Sequence, residues 1–221
     1  MGGLIPFGDA TRRPRRSPVV TIAIIVANAI VFLLELTGGA AFVQRWSVIP
    51  ADIVAGHHWI TILTAMFMHG GWLHIGGNMI FLWAFGPEVE DAMGRLSYFA
   101  FYLLSGLAAS LAEIAVMSHS TVPNLGASGA IAGVMGAFLI TYPRDRIRAL
   151  VIFGFFFRVT LIPAALLIGF WFLIQLFSQV GSVADVQSGG VAYGAHVGGF
   201  IFGAASARVF ERFQRVPEVE V

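Results

Sequence analysis

Cysteine and lysine are both missing from this chain of 221 residues. The first absence rules out disulfides and thiolate chemistry, and it leaves the compartment open. The second makes all thirteen basic side chains arginine. Charge of either sign is scarce, at 11% of the residues, against about a quarter in a soluble domain. The formal net charge is only +1 and the arginines are scattered, which argues against a nucleic-acid partner, because phosphate binding needs a clustered basic surface. Apolar residues take up the difference at 57% of the chain, the composition of a membrane protein.

Those apolar residues fall into runs. The first, VVTIAIIVANAIVFLLEL at 19–36, follows Arg12, Arg13, Arg15 and Arg16. It is longer than the ~7–15 residue apolar stretch of a signal peptide and reads as a retained first span with its N-terminus in the cytoplasm, although the GGAA that follows keeps a cleaved signal as the alternative. At ~20 apolar residues per crossing, further spans near 72–87, 97–117, 126–142, 161–179 and 192–210 bring the expected count to six. The links at 88–96 and 143–160 and the C-terminal tail then lie in the cytoplasm with Arg95, Arg144, Arg146, Arg148, Arg158, Arg212 and Arg215, and Arg208 sits near the end of the last span. Only Arg45 is external, the imbalance that the positive-inside rule requires.

Two connections are oddly apolar. Residues 37–71 include WITILTAMF at 59–67, so this long loop is expected to be partly embedded and folded back against the bundle. The stretch ALVIFGFFF at 149–157, between Arg148 and Arg158, is too short to span and is expected to lie in the interface. With no internal repeat and no low-complexity linker, the chain reads as an all-α membrane protein, one six-helix bundle. Its divisions are a basic tail at 1–17, a core at 18–211 and a short tail at 212–221.

Polar side chains inside spans are costly and mark candidate functional positions. His74 and Asn78 lie in the second span, Ser128 in the fourth and His196 in the sixth. These three spans run in the same direction and each residue lies near the start of its span, so all four should share one depth on the external side. His74 and Asn78 are four apart and therefore stacked on one helical face. In AHVGGFIFG (195–203) the face of His196 also carries Gly199 and Gly203, and Gly129 and Gly133 make a small-xxx-small pair beside Ser128. Smooth faces of this kind let helix backbones approach closely, which would bring Ser128 within reach of His196. Histidine could then act as general base on the hydroxyl. Ser128 opens its helix, where free N–H groups favour negative charge, and His74 and Asn78 add donors, together the parts of an oxyanion hole. No acidic residue stands beside His196 in a span, so a dyad is expected rather than a triad.

Each residue alone has a plainer reading: Ser128 as a small packing residue, His196 as a satisfied interior histidine, Asn78 as a bridge between helices. Their convergence favours chemistry. A metal site built from His57, His58, His69 and His74 is disfavoured by the absence of H-E-x-x-H and by the five-residue separation of His69 and His74. No metal or cofactor is expected. Glu88, Glu90 and Asp91 read most simply as solvated charges, and Asn28, Glu113 and Gln175 carry no assigned role.

In combination these motifs resemble those of the rhomboid intramembrane serine proteases, over about residues 18–211. GASG (126–129) is similar to the Gly-x-Ser-Gly box, with Gly126 before the nucleophile position of Ser128. AHVGG (195–199) resembles the last-span motif, which implies His196 as the base. HGGWLHIGGN (69–78) resembles the second-span motif and implies that His74 and Asn78 assist the oxyanion beside the Ser128 backbone N–H. EVEDAMG (88–94) resembles a Glu-x-x-x-Gly element, implying Glu90 as a structural carboxylate. The chain departs from the family pattern twice: WIT at 59–61 supplies a loop tryptophan without its arginine, and Ala132 stands where many members carry a tyrosine. The resemblance implies an endopeptidase that cuts transmembrane segments of other membrane proteins near their external end, in a bacterial or archaeal cell membrane with both termini cytoplasmic. The loop at 179–194, rich in Gly and Ser, suits a mobile cap. The rivals are a non-catalytic rhomboid-like protein that binds transmembrane helices for quality control, and a small transporter. A transporter needs a polar stripe across the bilayer, whereas here the polar groups gather at one level.

Overall fold

A computed structural model describes residues 2–183 and 192–212. Helices dominate. Six of them are 14 to 28 residues long: α1 (Val19–Trp46), α4 (Trp72–Met93), α5 (Arg95–Val116), α6 (Ser128–Thr141), α7 (Ala164–Val183) and α8 (Tyr193–Arg212). Among the described residues, α1 and α5 are long and apolar enough to cross a membrane by length and composition. Shorter apolar stretches form α6 and the first part of α7, and α4 and α8 end in charged residues.

Local chemistry explains the helix ends. Pro18 precedes the first residue of α1, a place where a missing N–H costs nothing. The orphan N–H groups of that first turn are met by a carboxylate from far along the chain, because Glu90 accepts from Val20 N at 2.9 Å and from Thr21 N and Thr21 Oγ1 at 2.8 Å each. α1 runs ten residues past the apolar run and bends at Gly39, whose φ of 59° only glycine adopts freely. A single residue, Gly94, ends α4 and begins α5.

The connection after α1 folds back on the bundle through α2 (Pro50–Val54), α3 (Thr61–Thr64) and a short 3-10 turn, Ala65–Phe67. Met66 and Met68 are buried there, in accord with the apolar loop expected from its sequence. Its anchors are polar contacts. Thr64 Oγ1 donates to Trp46 O at 2.7 Å, Val48 and Asn124 pair as an isolated β-bridge, and Glu35 accepts from His69 N at 2.9 Å. Trp59, which lacks the arginine companion, is exposed.

The all-α expectation needs correction. A three-stranded antiparallel sheet, in the order β1 (Gly2–Asp9), β2 (Arg146–Phe153), β3 (Phe156–Pro163), joins the N-terminal tail to the link between α6 and α7. The stretch at 149–157 is therefore the heart of a hairpin. Its two-residue turn holds Gly154 at a φ of 58°, and Arg146, Ile147, Arg148 and Ala149 alternate exposed and buried, the period of a strand. β1 carries Pro6 and a register shift between Pro6 and Gly8, tolerable because it is an edge strand. Arg12 pairs with Asp145 beside the sheet and lies over the Tyr142 ring at 3.8 Å.

α6 sits at the centre: every residue from Gly129 to Phe138 is buried. It packs on α8 at backbone contact. A methyl group added at Gly199 or Gly203 would overlap the carbonyl oxygen of Gly129 or Gly133, and one at Gly136 would strike the backbone of Phe200. The contact of α6 with α4 is aromatic, with Phe85 edge-on to Phe138 at 5.1 Å between centroids.

Candidate active site

Ser128 is the first residue of α6, two residues after Gly126, which takes a φ of 141° and donates its N–H to Ala65 O at 2.9 Å. That turn aims the serine toward α8. His196, in the first turn of α8, is buried, and its Nε2 lies 2.7 Å from Ser128 Oγ. The glycine seam described above holds the two helices at this distance. The N-terminus of α8 is fixed by a carboxylate from α5: Glu113, itself buried, accepts from Ala195 N at 3.0 Å.

α4 brings the other two candidates to the same place. His74 Nδ1 accepts from Gly70 N at 3.2 Å, so its ring proton is on Nε2. That atom faces Gly126, where an added methyl would stand 3.1 Å from it and 3.5 Å from Ser128 Oγ. Asn78, one turn further on, is buried and its Nδ2 has no partner. A buried donor without an acceptor costs about 1–3 kcal/mol, and here it borders an open cavity lined by His74, Asn78, Ser128 and His196. At about 720 Å³ the cavity holds many water molecules of ~30 Å³ each. A second opening between α4 and α7 adds Phe81, Met135 and Trp171 to the lining.

Three features went unread in the sequence. Gln175 on α7 is buried with Oε1 2.7 Å from His196 Nδ1. Trp171, one turn earlier, lies 5.8 Å from the imidazole between centroids, while Ala132 is wholly buried in the core. Glu88 and Glu90 are buried, not solvated, and only Asp91 stays near the surface, accepting from Arg16 N at 3.1 Å. The signal for Gln175 was present, since a lone glutamine in an apolar run is expensive. Its partner was not legible. Among the described residues no group of three or more His, Asp or Glu side chains could hold a metal ion. His57 and His58 lie apart from the His69–His74 pair, whose rings are 5.2 Å apart. Residues 184–191 of the expected cap at 179–194 fall outside the described residues, as does the tail from 213.

The Rhomboid domain profile matches residues 56–213. This chain belongs to the rhomboid family. Among its relatives, Rhomboid protein 1, mitochondrial, of Saccharomyces cerevisiae is 30% identical over 90% of this chain and 54% of its own length. Rhomboid protease GluP of Bacillus subtilis is 29% identical over 85% of this chain and 35% of its own. Rhomboid protease GlpG of Salmonella paratyphi A is 28% identical over 90% and 66% respectively. This rhomboid thus spans about half the length of the yeast relative and about a third of GluP. The family is integral to membranes and includes proteases. Its members here come from mitochondria, chloroplasts and bacteria, so they give no support to the narrower expectation of a bacterial or archaeal membrane.

Proposed function

We propose that this rhomboid is an intramembrane serine endopeptidase that crosses the bilayer six times, with Ser128 as nucleophile and His196 as general base. One observation carries the reading: the 2.7 Å contact between Ser128 Oγ and His196 Nε2, at the wall of a cavity large enough for water and a peptide segment. Ser128 donates its proton to Nε2 as Oγ attacks the scissile carbonyl carbon. The carbonyl oxygen becomes an oxyanion and accepts from the Ser128 N–H, the Asn78 amide and His74 Nε2–H. Each such donor is worth about 3–4 kcal/mol in the transition state. His196 then passes its proton to the leaving amine, and water from the cavity hydrolyses the acyl-enzyme through the same base.

The glycines at 126, 129, 133, 199 and 203 serve this chemistry by setting distance, and Glu90 serves it by anchoring α1 to α4. Substrates are transmembrane segments of other membrane proteins, unwound locally so that a carbonyl reaches Ser128 near the external face, with both termini of the enzyme in the cytoplasm.

Cleavage of a model transmembrane substrate, together with covalent labelling by a fluorophosphonate, tests the proposal. Ser128→Ala and His196→Ala are each expected to abolish both while leaving the bundle assembled. Equal labelling of the Ser128→Ala protein would remove that serine from the role. An unreactive native enzyme that still captures transmembrane helices would point to the non-catalytic binder.

A further inference from the structure

Gln175 is a polar residue in the apolar run LLIGFWFLIQLF of α7, and its side chain is 8% exposed. Its Oε1 sits 2.7 Å from His196 Nδ1, on the side of the imidazole opposite Ser128. We infer that Gln175 is the third member of the site, a positioning residue that fixes the tautomer and orientation of His196. This rests on the proposed serine-protease reading and adds to it.

The reasoning is one of proton bookkeeping. An amide oxygen can only accept, so a contact of 2.7 Å requires the imidazole proton on Nδ1. A neutral ring protonated there carries its lone pair on Nε2, the atom facing Ser128 Oγ. That is the tautomer a general base needs. With the proton on Nε2 instead, two lone pairs would face one another at Nδ1, and the ring could not receive the serine proton. The same bond persists when His196 becomes imidazolium, since both ring nitrogens then donate. Trp171 lies one turn before Gln175 and is tilted 39° to the imidazole plane, so a single helix supplies both the hydrogen bond and the ring that flanks it. No equivalent comes from α6, where Ala132 faces the core.

The choice of amide over carboxylate has a physical cause. A carboxylate in this position would be a buried charge at membrane depth, expensive unless His196 were cationic. The amide carries no charge and orients the base at lower cost. Among the described residues the other ionisable groups near His196 are His74 from α4, Glu113 from α5 and, on its own helix, Tyr193, whose ring stands edge-on at 6.3 Å between centroids; Glu113 is engaged with the Ala195 N–H.

The primary test is nitrogen NMR of the full-length protein labelled with 15N-histidine in detergent or nanodiscs, with His196 assigned by difference against His196→Asn. The native spectrum should report a protonated Nδ1 and an unprotonated Nε2, and Gln175→Leu should shift that population toward Nε2–H. A native His196 protonated at Nε2, or one whose tautomer ignores the Leu substitution, overturns the inference whatever the activity. The kinetic arm separates the two claims. Gln175→Leu should lower kcat by ~10–10²-fold, no more than the ~10²–10⁴-fold worth of the base itself, with KM little changed. Gln175→Glu should retain labelling and move the acid limb of the pH–rate profile upward, because a carboxylate raises the basicity of its imidazole partner. An unmoved limb in a folded Gln175→Glu protein, with kcat of the Leu variant within twofold of native, also refutes it. A native protein with the Nδ1–H tautomer but no labelling at Ser128 would instead overturn the protease reading and leave the tautomer assignment standing.

Discussion

The seam between α6 and α8 invites one decisive perturbation, Gly199→Ala. The added methyl would overlap the Gly129 carbonyl oxygen and also stand 3.2 Å from the Ala109 side chain. Neither helix can relieve the clash by turning a side chain, because the obstacle is backbone. A carbon and a carbonyl oxygen rest at about 3.3 Å, so the helices must part by roughly 1 Å. Overpacking of this kind costs about 1–3 kcal/mol, which for a chain of this size lowers Tm by roughly 2–12 °C. The larger effect should be on the site. Moving α8 by that amount carries His196 out of hydrogen-bond range of Ser128 Oγ, and a 1 Å misplacement is worth about 10²-fold in rate. The assay is fluorophosphonate labelling rate in detergent, with thermal unfolding measured in parallel. Gly169→Ala on α7 is the control: a methyl there meets nothing within 4 Å, and alanine favours the helix by ~0.5–1 kcal/mol. Native labelling and native Tm in Gly199→Ala would refute the claim that backbone contact sets the Ser128–His196 distance.

Other substitutions probe the rest of the scaffold. Glu90→Ala strands the Val20 and Thr21 N–H groups in a buried place, and should cost about 2–4 kcal/mol in unfolding experiments; Glu90→Gln, which keeps an acceptor oxygen, should cost less. Beside the three-stranded sheet, burial pushes the Asp9 carboxyl up to about 6, whereas the Arg12 guanidinium holds Asp145 below its usual value. A raised carboxyl binds its proton more tightly when folded, so the Asp9 contribution to docking β1 is full below its unfolded value near 3.8 and is lost as pH rises through about 6. The Asp145 contribution has the opposite sign and is lost as pH falls. Protection of the β1 amides that pair with β2, measured relative to the intrinsic exchange rate at each pH, should therefore fall between pH 5 and 7, and Asp9→Asn should flatten that dependence; unchanged pH dependence in the variant would refute the assignment. Glu113→Ala should loosen the first turn of α8 and slow labelling without removing it, as read by the rate at fixed probe concentration.

The helices and the candidate site were largely legible before any fold. Apolar runs at 19–36, 97–117 and 161–179 mark α1, α5 and α7, because burial in lipid or core is written residue by residue. Offsets of three, four and seven place Gly199 and Gly203 beside His196, and Asn78 beneath His74, since helical period is a local property. The sheet was harder. Its hairpin offered alternation over only four residues and a lone Gly154, and apolar residues on both faces of β2 and β3 hid the period of two. β1 gave still less, with Pro6 and Gly8 inside it. By local pattern Glu88 and Glu90 looked solvated, as a charged cluster near a span end usually is, and only the family resemblance set Glu90 apart; α1 covers Glu90 and the N-terminal tail lies against Glu88.

Composition and spacing alone therefore decide that this is an apolar helical chain with Ser128, His196, His74 and Asn78 on faces able to meet. Short-range periodicity and the cost of polar groups in an apolar run are enough for that. Which distant groups pair was settled by tertiary structure: Glu90 with Thr21, Gln175 with His196, β1 with β2. Each of those pairs is closed by packing of whole elements brought together across the chain, and no local pattern in either partner specifies the other.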